Sequence, residues 1–226
     1  ARYRDDRLDE GMSASTVCRE LSFMSVAIKK AVRLYNCWLP EHPIPNDIKP
    51  KEKAPRNRRL EEGEFDKLMI HCKTKKNSYW CSMIEFAIET AMRLNEQLTL
   101  TWDKVDLKNM LITILAEHSK TGIQRKIPLT PRAIQILQQL PRHINGRVFP
   151  VSLNNFQRAW RSITRKSEIK DLHWHDLRRE ACSRLMESGL SISEVQMFTG
   201  HKTMSLMLKT YSQHNPSLVA KKLNNI

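Results

Sequence analysis

A proline-rich segment between positions 40 and 55 constrains the fold of this chain more than any other feature. Proline has no backbone N–H and a fixed φ angle, so a stretch with repeated prolines cannot form a continuous helix or a central strand. The prolines are Pro40, Pro43, Pro45, Pro50 and Pro55. The segment therefore predicts a linker between two parts that fold separately.

Upstream of this segment, apolar residues recur at every third or fourth position, which is the spacing of an amphipathic helix. They are Val17, Leu21, Met24, Ile28, Ala31, Leu34 and Trp38. Ser15 or Thr16 is a suitable amino-terminal cap, because either hydroxyl can accept a hydrogen bond from the first turn. One long helix is expected, which ends before Pro40.

Downstream of the linker, the pattern predicts many helices and few strands. Thr130-Pro131 and Ser191 are typical helix starts. Predicted helices cover 61–72, 80–92, 130–140, a segment around 156–163, 176–187 and a stretch that begins at Ser191. Two β-rich runs, 111–116 and 124–129, predict a hairpin around Lys120-Thr121-Gly122. The expected class is α+β, predominantly α-helical, with a small β-hairpin or sheet.

The chain carries a large excess of positive charge. Its 226 residues include 38 Lys and Arg against 24 Asp and Glu, which gives a formal net charge of +14. Such an excess favours a polyanionic partner, above all nucleic acid. Part of it lies in and after the linker, at Lys49, Lys51, Lys53, Arg56, Arg58 and Arg59. These side chains form either a solvated linker surface or a nucleic-acid contact.

The sequence contains no signal for membrane insertion or secretion. No stretch reaches the roughly 18 consecutive apolar residues of a transmembrane helix, and the amino terminus does not resemble a signal peptide. The five cysteines are scattered without C-x-x-C spacing, so neither a disulfide framework nor a cysteine zinc site is expected. We expect a soluble, cytoplasmic protein with reduced thiols.

Four motifs in the second part of the chain occur in a recognisable order. The first is the run TAMRLNEQL at 90–98, and the second is Ser119-Lys120-Thr121. The third is His175-Asp176-Leu177-Arg178, and the fourth is Gly200-His201, with Tyr211 close behind. Together they resemble the tyrosine recombinase, or phage integrase, family, and within it the shufflon-type DNA invertases.

The resemblance implies a set of catalytic residues that work without metal, ATP or another cofactor. They are Arg93, Lys120, His175, Arg178, His201 and the nucleophile Tyr211. The side-chain chemistry fits, because a guanidinium fork binds phosphate oxygens in pairs and a phenol can be activated, attack phosphorus and leave again. Lys120 is expected to protonate the leaving 5′ oxygen, and His175 to accept the phenol proton.

The same resemblance implies a domain arrangement and partners. Residues 1–50 are similar to the last helices of a core-binding domain, 51–59 form a basic linker, and 60–226 form the catalytic domain. The implied function is site-specific recombination of double-stranded DNA through a covalent 3′-phosphotyrosine. Four protomers are expected on paired sites, with accessory DNA-bending proteins as further partners. The implied location is the cytoplasm, in association with the nucleoid.

Two features depart from the family pattern. Tyr211 follows His201 by ten residues where nine are expected, and on a helix one extra residue turns a side chain by roughly 100°. Ala91 and Asn95 stand at positions where glycine is common. The longer spacing leaves open a second function, a DNA-binding module of the same fold that has lost strand cleavage. A third hypothesis, a metal-dependent nuclease or transposase, requires clustered carboxylates, and the sequence offers no convincing acidic triad.

Several residues next to the motifs also have predicted roles. Glu96 is expected to orient Arg93 rather than to act as an acid, since residues three apart share a helix face. His173 is structural or a DNA contact, and with Asp171 and Asp176 it completes no spacing typical of zinc ligands.

Two further surfaces are expected to make contacts. Double-stranded DNA is expected to run along three basic residues, Arg158, Arg161 and Arg165. A run of apolar residues with helical spacing lies near the carboxyl end, at Leu218, Val219 and Leu223. This tail either docks on a neighbouring subunit or packs on the core of its own chain.

Overall fold

The computed structural model describes residues 1–54, 56–74, 79–119 and 122–201. The chain divides into two compact units, with the boundary between Arg56 and Asn57. This boundary falls inside the segment predicted as a linker. The regular elements described in the first unit are helical, and those of the second unit include a small sheet.

Two helices account for most of the first unit. They are α1 (Arg2–Asp9) and α2 (Ala14–Tyr35), and a short 3-10 turn follows at Asn46–Ile48. Arg7 on α1 forms an ion pair with Glu20 on α2 at 2.8 Å. This pair fastens the two helices to each other across the turn that joins them.

The long helix α2 ends before Pro40, as predicted, but its amino-terminal cap differs from the prediction. Its cap is Ser13, whose hydroxyl accepts a hydrogen bond from the backbone N–H of Thr16 at 3.2 Å. The predicted caps are wrong, because Ser15 and Thr16 already lie in the first helical turn. The helix ends at Tyr35, before the last residue of the apolar repeat. Only its amino-terminal half is buried, at Val17, Cys18 and Leu21, whereas Leu34 and Trp38 are exposed.

Seven α-helices are described in the second unit. They are α3 (Glu64–Lys73), α4 (Tyr79–Thr90), α5 (Leu94–Thr99), α6 (Pro131–Gln139), α7 (Leu153–Lys166), α8 (Trp174–Glu187) and α9 (Ile192–Thr199). The predicted starts of two of them are confirmed. Thr130 caps α6 by accepting a hydrogen bond from the N–H of Ala133, and Ser191 forms a capping box with Glu194 on α9. The sequence pattern did not predict α5 as a separate helix.

None of the helices in the described ranges is both long and apolar enough to cross a bilayer.

A three-stranded antiparallel sheet completes the second unit. Its strands are β1 (Val105–Asp106), β2 (Leu111–Ile114) and β3 (Arg125–Pro128), in the order β1-β2-β3. Ile112 on β2 is paired with Ile127 on β3, and both are buried, so one face of the sheet packs on the core. The two predicted strands therefore pair as expected, and the α+β, predominantly helical class is confirmed.

The core of the second unit is built around α4. This helix packs against α8, α6 and α3, and its Phe86 ring lies 5.4 Å from that of Phe149. An aromatic cluster holds the start of α8 against α7: the Trp174 ring meets the rings of Phe156 and Trp160 edge-on, at 4.7 and 5.1 Å. Such edge-to-face contacts add to the energy of apolar burial. The amino end of α8 is thereby fixed on the core.

Two arginines of the predicted basic linker form ion pairs within the second unit. Arg58 pairs with Glu64 on α3. Arg59 pairs with Glu180 at 3.0 Å and with Glu187 at 2.7 Å, both on α8. Carboxylates of the protein engage both charges, which neither interpretation of the basic run predicted, and a nucleic-acid contact of the run stays a prediction.

Candidate active site

The candidate site is organised by α8, which carries two of the predicted catalytic residues. The helix begins at Trp174, and its start is fixed by Asp176, whose side chain accepts a hydrogen bond from the backbone N–H of His173 at 2.8 Å. His175 and Arg178 are three residues apart, so they lie on one face of the helix. The H-x-x-R spacing therefore brings both side chains to one side of α8.

Arg178 connects two other segments of the chain. Its side chain is only 2% exposed. Nη1 donates a hydrogen bond to the backbone carbonyl of Ala91, and Nη2 donates one to the backbone carbonyl of Thr199 at 2.6 Å. Ala91 lies two residues before Arg93, and Thr199 lies two residues before His201. One buried guanidinium thus holds the segments of two further predicted catalytic residues close to α8.

Ala91 adopts a backbone conformation that usually requires glycine. Its φ is +51°, in the left-handed region, which costs a residue with a Cβ about 1–2 kcal/mol. This turn directly follows α4 and aims the Ala91 carbonyl at Arg178. Glycine is common at this position of the motif, and the observed φ angle gives the physical reason.

Arg93 is held by Glu96 at the start of α5. Arg93 is the residue that caps this helix, and Glu96 accepts a hydrogen bond from its backbone N–H at 2.9 Å and another from its Nη1 at 2.9 Å. Glu96 is 1% exposed. Burial alone would raise the pKa of its carboxyl, but the nearby arginines hold that pKa below the usual value. Glu96 is therefore an ionised carboxylate that orients Arg93, which is the role predicted for it.

Arg125 belongs to this cluster although it lies in none of the four sequence motifs. It opens strand β3, and its Nη1 and Nη2 donate to the two carboxylate oxygens of Glu96 at 3.0 and 2.7 Å. Its Nε donates to the carbonyl of Phe198, near the end of α9, at 3.4 Å. The only sequence signal was an arginine shortly after the hairpin turn, and an arginine there is usually a solvated strand residue.

His201 follows the left-handed glycine that ends α9. A hydrogen bond of 2.8 Å joins its Nδ1 to the hydroxyl of Thr199, and its backbone carbonyl accepts one from Gln196 at 2.6 Å. Burial of the imidazole, and then the charges of Arg178 and Arg93, lower the pKa of His201 to about 4. The imidazole is therefore neutral at pH 7, with one ring N–H to donate.

His175 is also held in its neutral form. His175 is exposed at the surface. The surrounding protein nevertheless displaces part of the water around the imidazole, which lowers its pKa. The charges of Arg178 and Arg179 lower this pKa further. Asp176 opposes this effect. A neutral imidazole can accept a proton, which is the property that a general base needs.

Two of the six predicted catalytic residues, Lys120 and Tyr211, lie outside the described residues, as do the tail residues Leu218, Val219 and Leu223. The strands that flank Lys120, β2 and β3, are described on either side of it. The structure thus brings four of the six candidates together, and the roles of Lys120 and Tyr211 stay predictions.

The structure also describes two other sets of residues that the sequence singled out. His173 lies 3.7 Å from a carboxylate oxygen of Asp171, but the described part of the chain holds no group of three or more His, Cys, Asp or Glu residues placed to bind a metal ion. The other group is basic and lies on the exposed side of α7, opposite the buried Phe156 and Ile163. It consists of Arg158, Arg161 and Arg165.

Solved integrases share this fold. The structure is similar to that of the Tn1549 transposon integrase in complex with a circular intermediate DNA, with a TM-score of 0.77, 17% identity, and coverage of 100% of this chain and 83% of the other. It is also similar to a lambda integrase dimer bound to a core DNA site, with a TM-score of 0.76, 19% identity, and coverage of 95% and 78%. At these identities the likeness establishes the fold.

Sequence comparison establishes the family. The chain belongs to the phage integrase family, whose model matches residues 58–217, and the resemblance predicted from the motifs is confirmed. It is 36% identical over 221 residues to the shufflon-specific DNA recombinase of Escherichia coli, a match that covers 94% of this chain and 56% of the relative. A second curated relative is covered over 58% of its length. The chain therefore spans little more than half of these proteins.

Proposed function

We propose that this chain performs the strand cleavage and rejoining steps of a site-specific DNA recombinase. The observation that carries the proposal is the double hydrogen bond of Arg178 to the carbonyls of Ala91 and Thr199. It gathers Arg93, His175 and His201 around one buried cation. A structural arginine needs no such neighbours, whereas a phosphodiester under attack needs several fixed donors for its nonbridging oxygens.

In the proposed reaction, the phenol oxygen of Tyr211 attacks the scissile phosphorus. A bond forms between phosphorus and the tyrosine oxygen, the bond from phosphorus to the 5′ oxygen breaks, and a 3′-phosphotyrosine remains. His175 accepts the phenol proton, and Lys120 supplies a proton to the leaving 5′ oxygen. The covalent link conserves the energy of the phosphodiester, so a 5′ hydroxyl of another strand can reverse the attack without ATP or a metal ion.

Arg93, Arg178 and His201 stabilise the negative charge that develops in this reaction. Arg93 and Arg178 carry a permanent charge and stabilise the negative charge that grows on the nonbridging oxygens. The low pKa of His201 keeps it neutral at pH 7, so it contributes as a hydrogen-bond donor rather than as a cation. Bound phosphate raises this pKa, because a nearby negative charge favours the protonated imidazole.

The proposed substrate is double-stranded DNA at two paired sites, held by four protomers inside the cell, in association with the nucleoid. The net charge of +14 supports a DNA partner, and the Tn1549 and lambda integrase structures with the same fold are complexes with DNA. The name of the Escherichia coli relative supports inversion of a DNA segment as the outcome. Accessory DNA-bending proteins complete the proposed assembly.

A second candidate function is DNA binding without cleavage. The observation that favours it is the ten-residue step from His201 to Tyr211, one residue longer than the family pattern. Both candidates predict tight DNA binding that weakens steeply with salt. They differ in whether a covalent protein–DNA adduct forms.

Covalent capture separates the two candidates. The chain is incubated with nicked suicide duplexes from a randomised pool, in excess EDTA, and adducts that survive denaturation are collected. Wild type and Tyr35→Phe, which alters an exposed tyrosine of the first unit, should form adducts, and Tyr211→Phe should bind DNA but form none. Intact DNA binding without an adduct in wild type would instead support the binding module. An adduct that persists in Tyr211→Phe would refute the assigned nucleophile.

A further inference from the structure

Arg125 and Arg93 share one buried carboxylate. Each oxygen of Glu96 accepts one hydrogen bond from Arg93 and one from Arg125, which makes four in all. Arg125 has the parallel two-point geometry that is the strongest form of an arginine–carboxylate pair. Arg93 makes only one of its two contacts through its guanidinium, and the other through its backbone N–H.

Arg125 also contacts the segment that leads to His201. Besides the bond from its Nε to the carbonyl of Phe198, its side chain packs against Gly200. A Cβ atom at Gly200 would lie 2.7 Å from Cδ of Arg125, and φ there is +63°. Only glycine meets both conditions without strain. Arg125 therefore fills the space between the start of α5 and the end of α9.

The guanidinium of Arg125 is bonded to other parts of the protein. Its side chain is only 10% exposed, and its guanidinium is directed at Glu96 and Phe198. The exposed arginines of α7 provide a contrast, because their side chains reach solvent. Nη1 and Nη2 of Arg125 donate to Glu96 and its Nε donates to the carbonyl of Phe198, so all three guanidinium nitrogens support the site from within the protein.

The charge balance explains what Arg125 can do for Arg93. A buried carboxylate requires hydrogen-bond donors at both oxygens. If Arg125 were absent, Arg93 would be the remaining cation for Glu96 and would be drawn into a two-point pair with it. That pair would turn the guanidinium fork of Arg93 away from a phosphate. With Arg125 in place, Glu96 is satisfied and Arg93 keeps part of its fork for another anion.

We propose that Arg125 is a positioning residue for strand cleavage. It occupies Glu96 so that the guanidinium of Arg93 can face the scissile phosphate. It also holds the end of α9, so that His201 stays beside the same phosphate. The inference rests on the proposed function. Arg125 itself touches neither the phosphate nor the reacting atoms.

The first test compares cleavage with binding. Single-turnover cleavage of the captured suicide duplex is measured at saturating DNA for wild type, Arg125→Met and Arg125→Lys. The matched control is Arg132→Met, which breaks another arginine–glutamate pair, with Glu85, at an exposed position. We expect Arg125→Met to slow cleavage on the order of 100-fold, the effect of a small misplacement of catalytic groups, with the DNA Kd within about threefold. Arg125→Lys should recover part of the rate, because it restores the charge but not the fork.

A rescue experiment distinguishes positioning from support of the fold. If Arg125 acts by occupying Glu96, then neutralising that carboxylate should release Arg93 again. The double variant Arg125→Met/Glu96→Gln should therefore cleave faster than Arg125→Met alone. A structural role predicts the opposite, because the second substitution removes still more of the cluster. A double variant no faster than the single one would overturn the proposal.

A spectroscopic measurement on the DNA-free chain does not depend on recombination. The titration of His201 and the side-chain N–H signals of Arg93 are followed by NMR in wild type, Arg125→Met and Arg132→Met. In Arg125→Met the pKa of His201 should rise and the Arg93 signals should move, whereas Arg132→Met should leave both unchanged. Should Arg125→Met fail to fold, Arg125→Lys takes its place, and the readout is then the Arg93 signals alone, because lysine keeps the charge that lowers the pKa of His201. Unchanged signals in a folded variant would refute the proposal, and changed signals in a chain that forms no adduct would refute only the proposed function.

Discussion

The Nη2 atom of Arg178 lies 2.6 Å from the backbone carbonyl oxygen of Thr199, although the two residues belong to different helices, α8 and α9. The same guanidinium reaches the carbonyl of Ala91, directly after α4. Two of its five N–H donors are thus used to fix main chain. The second arginine of the motif set therefore defines the geometry of the site as well as contributing charge to it.

The first prediction concerns Arg178→Lys. An ammonium group cannot direct parallel N–H bonds at two carbonyls, and a buried carbonyl that loses its donor costs about 1–3 kcal/mol. We expect the free energy of unfolding to fall by about that amount, and cleavage to fall far more than DNA affinity. Urea unfolding, single-turnover cleavage and DNA titration check this. The matched control is Arg184→Lys on the same helix, because the Arg184 side chain is half-exposed in its ion pair with Glu180. Equal losses of cleavage and binding would identify Arg178 as a plain DNA contact.

The second prediction concerns Gly200→Ala. The substitution places a Cβ in a left-handed conformation, which costs about 1–2 kcal/mol, and forces it against Cδ of Arg125. Gly146→Ala is the matched control, because φ is +71° there and no other atom lies within 4 Å of the added Cβ. Gly200→Ala should lower the free energy of unfolding by more than Gly146→Ala, and it should also slow cleavage. Thermal or urea unfolding of both variants measures the difference. Equal destabilisation would mean that the contact with Arg125 carries no cost.

The third prediction concerns the left-handed turn at Ala91. Glycine adopts this φ without strain but gives up a buried methyl group worth about 0.8 kcal/mol. Ala91→Gly should therefore change the free energy of unfolding by no more than about 1 kcal/mol. Ala91→Val places a branched side chain in the same fully buried turn and should cost at least about 2 kcal/mol. Urea unfolding checks both values. A valine variant as stable as the glycine variant would contradict the account of this turn.

The fourth prediction is a loss of stability between pH 7 and pH 5. The pKa of His201 is about 4 in the folded chain, against an ordinary value of 6.5. The unfolded chain therefore takes up a proton first, so this contribution to stability is complete above pH 6.5 and declines as the pH falls toward 4. His175 acts in the same direction, while the lowered pKa of Glu96 matters only below about 4.5, outside this range. His201→Gln should reduce the difference in urea stability between pH 7 and pH 5. No reduction in His201→Gln would contradict the assignment.

Much of the fold could be predicted from the sequence because its signals are local. Apolar spacing and caps such as Thr130 and Ser191 indicated the helices with small errors at their ends, and the β-rich runs on either side of Lys120 indicated the strand pair. The cap of α2 was predicted wrongly because three hydroxyl residues near its amino end can each cap a helix. They are Ser13, Ser15 and Thr16. The hydrogen bond from the Thr16 N–H selects Ser13.

The site was predicted in part, because motifs give residue types but not their tertiary partners. The order of Arg93, His175, Arg178 and His201 indicated a common site. It could not indicate that Arg178 binds main chain or that Arg125 shares the carboxylate of Glu96, since these contacts join residues far apart in sequence. The same limit applies to Arg59, whose ion pairs with α8 depend on how the second unit folds.

The most direct measurement of the central claim maps the covalent link. Wild-type chain is captured on a suicide duplex in EDTA, digested with nuclease and trypsin, and analysed by mass spectrometry. The account predicts that the nucleotide remains on the tryptic peptide 210–221 (TYSQHNPSLVAK), at Tyr211, and that this species is absent from Tyr211→Phe. A nucleotide on any other peptide, or no adduct from chain that binds DNA, would contradict it.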